Sequence, residues 1–104
     1  MHKISYMSVR ITCIKKDGGN HENPFVAISS LSWINEETND TGSSTREQMY
    51  EFVEVSKGIA YVKDYLGNKA NLQGKISEEG TKYVKTYADN VTSDNLLKLP
   101  ECKN

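Results

Sequence analysis

The sequence has little of what usually announces chemistry. It holds two cysteines, Cys13 and Cys102, and two histidines. Zinc sites commonly show closely spaced ligand pairs, and no such pair occurs, so Cys13, His21 and Cys102 could meet as ligands only if distant parts of the chain came together. Phosphate-binding loops lead into a helix, but the glycines of "DGGN" precede none. No apolar run approaches the ~20 residues of a membrane span. The opening "MHKISYMSVR" lacks the apolar centre of a secretory leader. Charge is nearly balanced, with 13 Lys and Arg against 14 Asp and Glu for a net charge of −1. That balance argues against wholesale attraction to DNA or an anionic membrane. The resulting expectations are a cytoplasmic location, no membrane contact, no metal, no cofactor and no catalysis. Both cysteines are expected as free thiols; the alternative, a disulfide, would tie the first strand to the C-terminus.

What is present reads as one domain, residues 1–104, whose length suffices for a single core. Residues 4–16 approach period two, with Val9, Ile11 and Cys13 alternating with Arg10, Thr12 and Ile14, as in a strand. In that phase Cys13 is a small buried hydrophobe. After the turn "KKDGGNHENP", residues 25–34 ("FVAISSLSWI") form a second strand and pair with the first. Residues 35–44 ("NEETNDTGSS") read as a polar loop, and the paired acids Glu36 and Glu37 as solvated charges. A helix is expected from about Thr45 to Lys57. Ser43, Ser44 and Thr45 offer cap oxygens, with Glu47 and Gln48 as capping-box partners. Its stripe of Met49, Phe52, Val53 and Ser56 suits core packing, and Gly58 stands where a helix-ending glycine belongs.

The last part carries an echo. "GIAYVKDYLGNK" (58–69) and "GTKYVKTYADNV" (80–91) share Gly, Tyr, Val, Lys and Tyr at matching places. Each reads as a strand, with "ANLQGKIS" a further strand between them. The order is β-β-α-β-β-β. The expected fold is α+β: a mostly antiparallel, four- to five-stranded sheet with one helix packed on one face.

The ending "YVKTYADNVTSDNLLKLPEC" carries a resemblance. Tyr83-Val84-Lys85-Thr86, Asp89, Asp94-Asn95-Leu96-Leu97 and Leu99-Pro100-Glu101-Cys102 resemble the closing signature of the bacterial DUF3892 family, small proteins of unknown function. "RITCIKKDGGN" (10–20) is similar to that family's first strand and turn, and Gly58 before a tyrosine-bearing strand matches it too. Where the family pattern has Asp-Gly after the final strand, this chain has Asp89-Asn90, and asparagine tolerates the turn. The resemblance implies a compact domain and no stated activity. By its residues, the ending is a clasp. Thr92, Ser93 and Asp94 suit the start of a helical turn. Leu96, Leu97 and Leu99 anchor it to the core, and Pro100 stops it.

Function, on this reading, lies on the sheet. Alternate strand residues share a face, so Tyr61, Lys63 and Tyr65 point one way, as do Tyr83, Lys85 and Tyr87. With Val62 and Val84 toward the helix, both sets lie on the open face, with Trp33 nearby. Tyrosine is enriched at protein interfaces, which makes the surface a candidate for an unknown protein partner. Tyrosines and lysines can also stack bases and hold phosphates, so a weak single-stranded nucleic-acid binder is the alternative.

Overall fold

A computed structural model describes residues 8–19, 21, 24–64, 67–86 and 96–102. The elements are β1 (Ser8–Lys16), β2 (Ile28–Ile34), β3 (Thr41–Thr45), α1 (Arg46–Glu54), β4 (Ile59–Lys63), β5 (Lys69–Ile76) and β6 (Lys82–Thr86), followed by a 3-10 turn, Leu96–Lys98. The strands form one sheet in the order β3-β2-β1-β4-β5-β6. The β1–β4 pair is parallel and the other pairs are antiparallel.

The α+β class, the single α-helix among the described residues and the predominance of antiparallel pairs match the sequence reading. The strand count does not: the described residues form six strands where four or five are expected, and the order is β-β-β-α-β-β-β. The additional strand is β3, "TGSST", in the stretch that reads as a polar loop. It has no apolar residue, so periodicity has nothing to register. Its partner makes it a strand: Thr41 to Thr45 pair antiparallel with Ile34 to Ser30. Gly42 lies opposite Trp33, where a Cβ would come within 2.5 Å of the indole ring. Glycine therefore lets Trp33 lie across the sheet edge, with its Nε1 donating to Ser44 Oγ at 3.2 Å.

Two bulges set which residues are buried. Ile11 pairs with Trp33 and Cys13 with Ser32, so Thr12 is the extra residue on β1. An extra residue reverses the alternation. Ile11 and Ile14 both enter the core, and Cys13 leaves the phase of Val9 and Ile11. On β2, Ser29 is the extra residue, and Ile28 and Leu31 are both buried as a result. The expectation that Cys13 is a buried hydrophobe is corrected by the first bulge. Cys13 is bonded to Cys102, with Cα atoms 5.0 Å apart, so the expectation of free thiols is corrected too.

α1 begins as its sequence requires. Gln48 N donates to Thr45 Oγ1 at 3.1 Å and Thr45 N donates to Gln48 Oε1 at 2.9 Å, a complete capping box. The helix ends at Glu54 rather than Lys57. Lys57 takes the left-handed backbone, with φ 61°. Gly58 serves for space, since a Cβ there would come within 2.1 Å of the Phe52 ring. Met49 is buried in the core cluster that also holds Val9, Ile11, Leu31, Ala60, Val62, Leu72 and Val84. Three strands separate β2 from β6 in the sheet, yet Phe25, just before β2, packs on Tyr83 of β6. The sheet therefore curls around the helix, as its twist permits. Arg46 fastens the curl, donating from Nη1 to Val26 O and from Nε to Lys82 O, both at 2.9 Å.

The described part of the clasp behaves as its leucines indicate. Leu96 is fully buried, and Leu97 and Leu99 pack against the core. Ile14 N donates to Pro100 O at 3.0 Å and Cys102 N to Ile14 O at 2.8 Å. This edge of β1 is available because β4 pairs only with Ser8, Val9 and Arg10. The expected start of the turn, Thr92 to Asp94, lies outside the described residues.

Candidate functional site

The sheet face turned away from α1 is built by simple alternation. On β4, Ala60 and Val62 are buried under the helix, which turns Tyr61 and Lys63 outward. On β5, Ala70 and Leu72 are core, and a Cβ on Gly74 would collide with Tyr50 and Glu54 of the helix. Lys69, Asn71, Gln73 and Lys75 therefore face the other way. On β6, Val84 and Thr86 are buried, and Tyr83 and Lys85 pair with Lys75 and Gln73. Tyr61, Lys63, Tyr83 and Lys85 thus share the face, but β5 runs between the two sets, ~10 Å across. Trp33 is on the opposite face, where it lines an apolar cavity of about 170 Å³ with Val9, Ser44, Met49 and Phe52. Tyr65 and Tyr87 lie outside the described residues.

The best-organised part of this face is a cluster around Glu36, which a polar turn delivers. Asn35 is buried, and its Oδ1 accepts from Glu37 N at 2.9 Å and Thr38 N at 3.3 Å. Such a side chain imitates a backbone turn. Asn39 takes φ 66°, and Asn35 N donates to Asp40 O at 2.8 Å. The turn so closed between β2 and β3 carries Glu36 over β1 and β4. There the carboxylate accepts from Arg10 Nε at 3.0 Å, from Lys63 Nζ at 3.4 Å and from the Tyr61 hydroxyl. Tyr61 is 6% exposed.

These bonds set the acidities. The Tyr61 hydroxyl, with help from Arg10 and Lys63, holds the Glu36 carboxyl at about 2, below its ordinary 4.5, against the opposing effect of desolvation. Tyr61 is pushed up to about 12, first by burial and then by donating to an anion. Glu36, read from sequence as a solvated charge, is thereby corrected. Its partners are 25 to 27 residues distant in the chain, so no spacing motif marks it.

Lys63 stands directly opposite Lys69. Like charges so placed repel, and the two ammonium groups part. Lys63 goes to Glu36, and the Lys69 Nζ sits 4.7 Å over the Tyr61 ring. Beside them is a groove of about 410 Å³ lined by Ser8, Glu36, Glu37, Ile59, Tyr61, Lys69 and Asn71. Ile59 is 43% exposed there. Further along, Tyr83 stacks on Phe25 with centroids 6.4 Å apart, and the Lys85 Nζ lies 5.7 Å from the same Phe25 ring.

The cysteines and His21 assemble no catalytic or metal centre. Both sulfurs are consumed in the disulfide, and His21 Nε2 bonds to Asp17. The Asp17 carboxyl is held below its usual value, chiefly by the Gly19 N–H and then by His21. Among the described residues, no three His, Cys, Asp or Glu side chains converge as a metal would require. No helix among the described residues is long and apolar enough to cross a membrane.

Fold and surface together define a small α+β domain, one helix across a mixed sheet with a polar, lysine-bearing outer face. The chain belongs to the DUF3892 family, a protein of unknown function by its description, whose family model matches residues 10–100. That match upholds the resemblance carried by the closing segment. No curated protein and no solved structure matches the chain.

Proposed function

We propose that this protein is a non-catalytic interaction module that docks a protein partner on the helix-distal face of β4, β5 and β6. The groove above Tyr61 carries the reading. It is open, it presents an exposed isoleucine, and it is rimmed by groups that can give and accept hydrogen bonds. Interfaces pair an apolar centre with such a rim. The Glu36 cluster ties Arg10, Tyr61 and Lys63 together at its floor, and a preformed arrangement of that kind lowers the ordering cost of binding. A single-stranded nucleic acid is the weaker reading, because the aromatic rings are engaged. Tyr61 is buried beneath Lys69, and Tyr83 already stacks on Phe25, so the exposed platform that bases use is missing among the described residues.

We place the module in the cytoplasm, as the sequence suggests. Stable disulfides are rare there, so the Cys13–Cys102 bond is the observation that weighs against this location. The test is cross-linking in host extract with the wild type and with a Lys63→Glu, Lys85→Glu variant, with Lys57→Glu as a control away from this face. Partners captured by the wild type and the control should be lost from the double variant. Retention of every partner by the double variant would sink the proposal.

A further inference from the structure

We infer that the partner segment received on this face is acidic, an inference that rests on the docking face proposed above. The strands β4, β5 and β6 contain no aspartate or glutamate at all. Four of their lysines, Lys63, Lys69, Lys75 and Lys85, stand on the one face turned from the helix. The remaining lysine, Lys82, points the other way and is neutralised by Glu51 at 3.1 Å.

The carboxylate reaching into this row is already committed. Glu36 serves Arg10, Lys63 and Tyr61 together. Among the described residues, Lys69, Lys75 and Lys85 have no carboxylate within ion-pair distance. Lys69 and Lys85 rest instead over aromatic rings. A ring holds an ammonium in place without cancelling its charge. Three cations without a carboxylate partner among the described residues therefore share one face, two of them held over rings, in a chain whose net charge is −1. The excess acid lies elsewhere: α1 carries Glu47, Glu51 and Glu54 against Arg46.

The spacing suits an extended peptide. Lys69, Lys75 and Lys85 lie along and across two paired strands, so carboxylates on alternate residues of an extended segment could reach them. Asn71 and Gln73 lie between and supply further donors. Ile59 offers an apolar contact at the side. Glu37 at the rim sets a limit, since it repels a uniformly anionic ligand at that end and favours a segment whose acids fall toward β5 and β6.

The experiment is fluorescence anisotropy of three labelled probes at low salt: a glutamate-rich peptide, a lysine-rich peptide of equal length, and a thymidine oligonucleotide. The proteins are the wild type and a Lys69→Glu, Lys75→Glu variant whose fold is confirmed by circular dichroism and thermal melting. The glutamate peptide should bind the wild type and weaken as salt screens the lysines. It should lose about tenfold or more in affinity with the variant. No binding of that peptide, equal binding of the lysine peptide, tighter binding of the oligonucleotide, or an unchanged affinity for the folded variant would each overturn the inference. If the peptide fails while the Lys63→Glu, Lys85→Glu variant still loses its cross-linked partner, the docking face stands and only its acid selectivity falls.

Discussion

Glu36 answers three donors at once, and that makes it the residue whose titration reports on the site. Its carboxyl lies at about 2 against an ordinary 4.5. A depressed carboxyl contributes stability that is fully present above pH 4.5 and lost as pH falls through 4.5 toward 2. The urea midpoint of the wild type should therefore exceed that of Glu36→Gln at neutral pH, and the difference should shrink across that acid window. Tyr61 runs the opposite way. Its hydroxyl is raised from 10 to about 12, so its contribution is complete below pH 10 and lost as pH rises toward 12. A tyrosinate absorbance titration should show Tyr61 ionising late, and in Glu36→Gln it should move back toward 10. An unmoved titration would mean that burial alone raises it. The sequence shows Glu36 as one acid of a polar pair, because the turn that aims it is built by Asn35, not by any pattern around the glutamate.

Among the elements, α1 was the most legible, because a capping box is local chemistry. Thr45 and Gln48 satisfy each other within one turn. Thr45→Ala should cost ~1 kcal/mol, read as a lower urea midpoint with an unchanged slope. No loss would mean that Ser44 or solvent replaces the cap. The end of the helix was less legible. Gly58 reads as a terminator, while the left-handed residue is Lys57 and the glycine is required by the Phe52 ring. β3 was hidden altogether. Its hydroxyls and glycine become a strand only because β2 lies beside them and Trp33 needs Gly42 beneath it. The bulges at Thr12 and Ser29 were equally hidden, since the extra residue is defined by the partner strand and not by the strand itself.

At the scale of the whole molecule, the disulfide joins residues 89 apart in sequence, closing nearly the full chain into a loop. Crosslinks of that span act mostly by restricting the unfolded chain. A Cys13→Ser, Cys102→Ser variant should lose about 2–5 kcal/mol and melt at least ~10 °C lower. Adding a thiol reductant to the wild type should reproduce the shift. An unchanged melting temperature in both would show that Leu96 and the Ile14 backbone bonds hold the clasp without the sulfurs. The curl of the sheet belongs to this scale too. Arg46 draws Val26 and Lys82 together, and with that curl Phe25 comes to lie on Tyr83.

By itself the sequence determined the α+β class, the one helix and its cap, the sheet face on which Tyr61, Lys63, Tyr83 and Lys85 lie, and the family. These depend on neighbours within a few residues, where periodicity and capping act. The tertiary structure alone decided the sixth strand, the parallel β1–β4 pair, the Cys13–Cys102 bond, the removal of Trp33 to the helix side and the convergence of three residues on Glu36. Each of these needs a partner brought from far along the chain. Long-range partners are chosen by burial and backbone pairing across the whole fold, and those choices leave no spacing in the sequence to read.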